Sequence, residues 1–280
     1  MSRYAFLIFI FLGFSCPCFG SELNLSDSDY YSKSQSTYGG IGLIQNPTAR
    51  FSDDGEFTFG ISTESPYNRL YAKVQFFPWM EAVLRYTEGE HVPYHAGNKR
   101  GQTWKDKGAD IKFRLFEEGD ILPELAVGIN DLGGTGAYGS EYIVASKRFN
   151  NLDLTLGLGW GRLGGVDSID NPFGWFSDDF LVRGRFSGLG GTISSGRMFT
   201  GKFASVFGGL EYYTPIPNLS VKLEYDPSDY SDAIGISRSF DQIGDIFEVD
   251  SRFNIGLNYQ LDISQREKID FSLGYVRGNT

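Results

Sequence analysis

A regular alternation of apolar and polar residues repeats along this chain from Gly55 onward. From Phe57 to Ile61, for example, the apolar side chains are separated by a threonine and a glycine. Successive side chains of a β-strand point to opposite faces, so such a segment predicts a strand with one apolar face. About eleven such segments follow one another, at residues 57–61, 69–76, 80–86, 110–115, 125–129, 141–149, 152–160, 202–213, 219–225, 253–259 and 269–275. The sequence therefore predicts an all-β fold.

The polar face of these strands decides between a soluble and a membrane fold, because soluble sandwiches alternate in the same way. Charged residues lie in the middle of the predicted strands, where a soluble barrel would need small apolar side chains. They are Lys73, Arg85, Lys112, Arg114, Lys222 and Glu224. A wet lumen behind an apolar band that faces lipid accommodates such charges. We therefore expect an antiparallel up-and-down transmembrane β-barrel, with these six residues lining its lumen.

The connections between the predicted strands support this interpretation, because short and long ones alternate. The short connections are 78, 117–123, 150, 214–218 and 262–267. The long connections are 88–105, 131–140, 161–201 and 226–250, and only 65–66 breaks the alternation. Outer-membrane barrels have short periplasmic turns and longer outer loops. The short connections are therefore expected on the periplasmic side.

The first twenty residues have the features of a secretory signal peptide. An apolar run from Ala5 to Phe14 follows a basic start, and small residues precede a cleavage site near Gly20. Such cleavage would remove both cysteines of the chain, Cys16 and Cys18. The alternative is a lipoprotein acylated at Cys16, although a glycine stands where the lipoprotein signal prefers a branched aliphatic residue.

The chain is accordingly divided into three parts. Residues 1–20 form the signal peptide, and residues 21–54 form a flexible N-terminus followed by a compact, turn-rich segment at Tyr38 to Arg50. Residues 55–280 form the barrel. Eleven strands would end on the outer side, whereas single-chain bacterial barrels have an even number. We therefore expect twelve strands and a chain truncated before the closing one.

Little in the sequence points to catalysis. The histidines, His91 and His95, flank a proline that disfavours a helical metal site, and no cysteine or compact carboxylate cluster accompanies them. The glycines at 133, 134 and 136 are expected to form turns, since no phosphate-binding lysine follows. A net charge of -10 argues against nucleic acid as a partner. We predict no catalytic residues, no metal and no cofactor, and hence a protein that is not an enzyme.

The connection 161–201 contains the groups best suited to binding sugar. Flat aromatic side chains can stack on a sugar ring, and charged side chains can form hydrogen bonds with hydroxyl or acidic substituents. The candidate sugar-contacting residues are Trp175, Phe176, Asp178, Asp179, Arg183 and Arg185. The alternative is a loop that folds over the barrel mouth for packing alone.

Several longer stretches resemble the amino-terminal part of the YjbH family. They include YGGIGLIQNPTARFSDDGEFTFGIS, YNRLYAKVQFFPWMEAVLRY and FASVFGGLEYYTPIPNLSVKLEYDPSDY. The resemblance implies an outer-membrane β-barrel, encoded with exopolysaccharide or capsule genes, that helps to produce or export the polymer. Members of the family are usually longer, with further barrel sequence downstream. The resemblance carries no catalytic residues over to this chain.

Three functions follow from these observations. The leading hypothesis is an outer-membrane barrel that assists exopolysaccharide or capsule production or export. Its expected partners are outer-membrane lipid, the exopolysaccharide and other polysaccharide-export proteins. The alternatives are an outer-membrane enzyme acting on lipid or glycan, and a secreted soluble carbohydrate-binding β-protein.

Overall fold

The computed structural model shows one antiparallel sheet in which consecutive strands are neighbours. It describes residues 14–15, 31, 33–93, 102–136, 138–166, 168–184, 193, 195–228, 249–264 and 266–278. The main strands are β2 (Phe57–Glu64), β3 (Tyr67–Phe77), β4 (Met80–Pro93), β5 (Thr103–Phe116), β6 (Glu124–Leu132), β7 (Ser140–Phe149), β8 (Leu152–Gly161), β10 (Phe203–Tyr213), β11 (Leu219–Tyr225), β12 (Phe253–Asp262) and β13 (Lys268–Tyr275). Two short strands pair with β2 and β10, respectively: β1 (Phe14–Ser15), which lies within the predicted signal peptide, and β9 (Ser168–Asp170). The predicted all-β, up-and-down antiparallel arrangement is confirmed.

Two predicted connections are wrong in their extent. The strands β4 and β5 reach Pro93 and Thr103, well into the predicted connection 88–105. The connection 133–139 is no longer than 117–123, although a long one was expected there. We call the end that carries the turns 78–79 and 117–123 the short-connection end, and the opposite end, which carries the connection 162–202, the long-connection end.

The two faces of the sheet are inverted relative to a soluble protein. In β12, Phe253, Ile255, Leu257, Tyr259 and Leu261 are exposed, whereas the asparagines and the glutamine between them are buried. The same alternation holds in β2, where Phe57, Phe59 and Ile61 are exposed and Thr58, Ser62 and Glu64 are buried. Polar groups therefore face the concave inner side, and apolar groups face outward.

The sheet curls so that its first and last main strands approach each other. Arg277, which follows β13, has its Nε atom 3.4 Å from Glu64 Oε1 at the end of β2 and also donates a hydrogen bond to the carbonyl oxygen of Ser65. Among the described residues, however, β13 has a strand partner only in β12. The predicted closed barrel is therefore not confirmed. No described helix is long and apolar enough to cross a membrane.

Residues 34–52 lie inside the curled sheet, and we call them the plug segment. They contain the predicted turn-rich stretch, with isolated bridges between Gln35 and Ile41 and between Gly42 and Pro47. Nearly all of these residues are buried, including those at the end of the stretch that was expected to be flexible. The sequence predicts the turns but not their location inside the sheet.

The small apolar core lies between the plug segment and the sheet. Ala49 and Phe51 of the plug segment pack in one cluster with Tyr142 of β7 and Phe207 of β10. The Phe207 ring covers Gly157 of β8, where a Cβ atom would be 2.1 Å from the ring. Glycine is needed there because any larger side chain would displace the aromatic ring.

Candidate functional site

Two carboxylates of the inner wall bind backbone amides of the plug segment. Glu224 of β11 accepts hydrogen bonds from the N–H groups of Ile44 (3.0 Å), Gln45 (2.8 Å) and Asn46 (3.1 Å). Glu81 of β4 accepts one from the N–H of Ile41 at 3.3 Å. A tight turn leaves backbone amides without partners, and buried amides need one. The wall carboxylates therefore complete the hydrogen bonding of the turns inside the sheet.

Two lysines of the inner wall bind the carbonyl groups of the same turns. Lys222 of β11 donates to Gly42 O at 2.7 Å and to Leu43 O at 3.1 Å. Lys112 of β5 donates to Ile41 O at 3.2 Å and to Arg50 O at 2.7 Å. Each lysine is buried, so it depends on these carbonyl groups and on nearby carboxylates to stabilise its charge.

Apolar side chains of the plug segment rest on glycines of the wall. A Cβ atom at Gly209 would be 2.8 Å from Leu43 Cδ1, and one at Gly256 would be 3.0 Å from Ile44 Cδ1. Glycine at these wall positions therefore leaves space for the two side chains. The plug segment fits the wall in shape as well as in hydrogen bonding.

Three guanidinium groups surround Tyr38 at the end of the plug segment nearest the long connections. The Cζ atoms of Arg69, Arg162 and Arg85 lie 4.4, 4.5 and 5.0 Å from the centre of its ring. Cations are attracted to the face of an aromatic ring, and more strongly where water is excluded. Arg69 also forms a salt bridge with Glu64 at 3.0 Å, so the cluster is partly neutralised.

Arg50 fixes the other end of the plug segment to three carboxylates. Its guanidinium nitrogens lie 2.7 Å from Asp153, 2.9 Å from Glu124 and 2.5 Å from Glu118. Burial alone would lower the pKa of Arg50, but the hydrogen bond and the charge of Asp153, with the charge of Glu124, raise that pKa above its ordinary value. Arg50 is therefore permanently charged at the short-connection end.

The six charged residues that the sequence placed in a lumen all lie on the inner face. Lys112, Lys222 and Glu224 bind backbone groups of the plug segment. Lys73 donates to the Ser52 hydroxyl group and to Glu56 (2.9 Å), and Arg85 pairs with Asp110. Arg114 pairs with Glu124 at 2.7 Å. These residues contact the chain itself at the level of the plug segment.

Sequence reasoning missed Glu81 and Arg50. Glu81 follows the same alternation as Arg85, so its inward position could have been read from the strand pattern. Arg50 lies in a turn-rich stretch without periodicity, so no sequence signal indicated that three distant carboxylates would surround it.

The long connection 162–202 is organised by Asn171. Its Oδ1 atom accepts hydrogen bonds from Trp160 Nε1 (2.9 Å) and Phe173 N (3.0 Å), and its Nδ2 group donates to the carbonyl oxygens of Phe180, Phe199 and Gly201. The rings of Trp160, Phe173 and Phe199 pack together with centroids 5.2–5.7 Å apart. This buried amide and the aromatic cluster hold together the described residues 171–180 and 199–201 of the connection.

Arg183 anchors the same connection to the sheet. Its two terminal nitrogens bind the carboxylate of Glu141 in β7 at 2.7 and 2.9 Å, and they also donate to carbonyl oxygens within the connection. Arg183 was predicted to contact sugar, but its guanidinium group is occupied by these intramolecular bonds. Its observed contacts are structural.

The other predicted sugar-contacting residues differ in placement. Trp175 and Phe176 are 95% and 81% exposed, above the cluster around Phe173. Asp178 and Asp179 are exposed on the adjacent 3₁₀ turn, Asp178–Leu181. We call Trp175, Phe176, Asp178 and Asp179 the aromatic platform. Arg185 lies outside the described residues.

The described residues form no metal-binding cluster. They contain no group of three or more histidine, cysteine, aspartate or glutamate side chains that could hold a metal ion. His91 lies in β4, and His95 lies outside the described part of the chain.

Comparison with known proteins identifies the family. Residues 34–280 match the YjbH family model, which is described as "Exopolysaccharide biosynthesis protein YbjH". The chain belongs to the YjbH family. The resemblance found in the sequence is thus confirmed, and the family match includes the whole plug segment.

A relative in Escherichia coli (strain K12), described as "Uncharacterized lipoprotein YjbH", is 39% identical over 282 residues. The alignment covers 100% of this chain and 38% of the relative, so the chain spans well under half of that YjbH protein.

The contacts of Arg50 predict that Arg50→Met destabilises the protein. The substitution leaves three carboxylates without their shared cation, and breaking a buried ion pair costs about 3–5 kcal/mol. The free energy of unfolding in urea, followed by tryptophan fluorescence, measures the effect. Arg266→Met, at an exposed position in the connection between β12 and β13, is the matched control and should leave the free energy of unfolding unchanged. Equal stability of the two variants would contradict the assigned role of Arg50.

Proposed function

We propose that this protein is an outer-membrane β-barrel that acts in exopolysaccharide production or export. The observation that carries the proposal is the inversion of the sheet, with charged side chains buried inside and large apolar side chains exposed outside. Leu84, Leu156 and Ile255, for example, are 67%, 65% and 51% exposed on three different strands.

The free energy of hydration supports a lipid environment for this outer face. Burying one large apolar side chain contributes about 1.5–3 kcal/mol, so many exposed on neighbouring strands would be unfavourable in water. Soluble monomers rarely expose contiguous apolar patches of more than a few hundred Å². The hydrocarbon core of a bilayer would supply the apolar surroundings that these exposed side chains need.

The ends of the sheet support barrel closure. The contacts of Arg277 with Glu64 and Ser65 bring the region after β13 to the end of β2. Closure in a membrane would satisfy the edges of both strands, since unpaired backbone groups are costly in lipid. The short-connection end would face the periplasm and the long-connection end the outside.

The comparisons with the family and with one relative support a location in the cell envelope. The family description names exopolysaccharide biosynthesis, and the relative from Escherichia coli is described as a lipoprotein, which is consistent with a location in the cell envelope. We propose the outer membrane for this chain, reached after signal-peptide cleavage near Gly20. Other polysaccharide-export proteins are its proposed partners.

The aromatic platform is the proposed contact with the polymer. Trp175 and Phe176 present flat apolar surfaces beside two exposed carboxylates, which can accept hydrogen bonds from sugar hydroxyl groups. The Asn171 hydrogen bonds and the Arg183–Glu141 pair hold the platform in place, so little conformational entropy is lost when a sugar binds. Its position at the long-connection end would expose it to polymer outside the cell.

A charge placed on the outer face tests the membrane proposal. We expect Leu257→Arg in β12 to lower the free energy of unfolding in lipid vesicles by about 2–4 kcal/mol, the cost of arginine near the bilayer midplane. Val182→Arg, at a 71% exposed position in the long connection, is the matched control and should be tolerated. If Leu257→Arg were as stable as the control, or if salt alone released the protein from envelopes, the proposal would be wrong.

Loss of the aromatic rings tests the polymer contact. We expect the double variant Trp175→Ala/Phe176→Ala to bind exopolysaccharide purified from the producing strain about ten-fold more weakly, because two stacking contacts are lost. Affinity electrophoresis through gels containing the polymer measures the change. Trp79→Ala removes a half-exposed tryptophan at the short-connection end and should bind as the unmodified protein does. Equal retardation of both variants in the gel would exclude the aromatic platform as the contact with the polymer.

A further inference from the structure

We infer that the plug segment is a retractable closure of the barrel, which withdraws toward the short-connection end before a hydrated solute can pass. This inference rests on the proposed function, because it requires a lumen that crosses a membrane. It adds the regulation of that lumen to the proposal, and it follows from the path of the segment and from the chemistry of its contacts.

The plug segment enters and leaves the sheet at the same end. Just before it, the ring of Tyr31 packs against Tyr213 at the end of β10, with centroids 5.0 Å apart. At its close, Arg50 binds Glu118 in the turn 117–123. Between these points the chain reaches Tyr38 beside Arg69, near the start of β3 at the long-connection end. A loop with both ends at one opening can withdraw without threading through the barrel.

The space inside the sheet requires such a segment. A barrel of about eight strands is filled by its own side chains, whereas much larger barrels enclose a channel. The eleven main strands of this sheet lie between these limits, and several of their inner side chains, such as Lys222 and Lys112, reach the plug segment. Withdrawal would therefore leave a water-filled passage.

The hydrogen bonds that hold the closure, unlike the apolar cluster around Ala49 and Phe51, are of a kind that water can replace. Glu224, Lys222, Glu81 and Lys112 bind backbone groups of the plug segment through hydrogen bonds, and each of these groups would be hydrated after withdrawal. Direct apolar contacts with wall glycines involve Leu43 and Ile44. The passage left behind would carry both signs of charge, which suits a hydrated polysaccharide better than an apolar solute.

Some buried polar atoms of the plug segment have no hydrogen-bond partner among the described residues. Within the described part of the chain, Ser34 Oγ, Gln35 Oε1 and Asn46 Oδ1 are buried without a hydrogen-bond partner. A permanently packed interior satisfies nearly all such groups. Unsatisfied groups favour withdrawal into water, so they reduce the free energy needed to open the barrel.

A reversible disulfide tests the closure in the full-length protein. Ser62 Oγ of β2 donates a hydrogen bond to Thr37 O at 2.7 Å, and both residues are buried. The variant Thr37→Cys/Ser62→Cys places one cysteine at each of these neighbouring positions, and a disulfide between them, verified by the loss of free thiols on oxidation, would join the plug segment to the wall. In planar bilayers we expect ionic conductance to be abolished on oxidation and restored by a reducing agent. Each single cysteine variant should be unaffected by the oxidant.

A second variant should loosen the closure without a crosslink. Lys222→Met removes the donor to Gly42 and Leu43, and we expect the open fraction to rise about ten-fold. Lys105→Met is the matched control, because Lys105 is exposed and pairs with Glu88 away from the plug segment. It should leave the conductance unchanged.

The inference is overturned if the inserted double-cysteine protein conducts equally in its oxidised and reduced forms. It is also overturned if inserted Lys222→Met conducts like Lys105→Met. Insertion into the bilayer is measured separately, by protection from protease in vesicles. A protein that does not insert counts against the proposed function instead, so the two failures are distinguishable.

Discussion

The structure depends on the pairing between charged side chains of the inner wall and the backbone of the plug segment. Lys222 and Glu224 lie two residues apart on β11 and bind, respectively, carbonyl and amide groups of one turn. Neither charge could remain in a dry interior without these partners, since burying an unpaired ion is highly unfavourable. The plug segment in turn needs the wall, because its own turns leave several backbone groups unsatisfied. The wall charges and the backbone groups of the plug segment therefore satisfy each other.

The same pairing explains the outer surface. Because side chains alternate along a strand, placing charges inward forces the intervening apolar residues outward, and a register slip of one residue would exchange the two faces. The inversion is therefore a single property of the whole sheet, and it supports both the proposed membrane location and the proposed closure. The aromatic platform is separate from it. Its conformation comes from Asn171 and from the Arg183–Glu141 pair at one end of the sheet.

The strands could be predicted because alternation is a local signal that each one carries by itself. β12 shows it without a break, and its observed exposure follows the predicted alternation. The position of the plug segment could not be predicted, since Gln45 and its partner Glu224 are 179 residues apart and a turn-rich stretch gives no indication of its surroundings. The early start of β5 was missed because Lys105 and Lys107 are polar on the face that is apolar farther along. For Arg183, residue type suggested a ligand, but Glu141 provides a partner within the chain.

The central claim is that the apolar face of the sheet contacts lipid while the charged face encloses the plug segment. Spin labels placed one at a time along β12, from Phe253 to Asp262, test it directly in protein reconstituted into vesicles. The account predicts that labels at Ile255, Leu257 and Tyr259 collide with oxygen dissolved in the bilayer, and that labels at Asn254 and Asn258 do not. Equal collision of both sets with a water-soluble relaxation agent would contradict it, because the outer face would then lie in water.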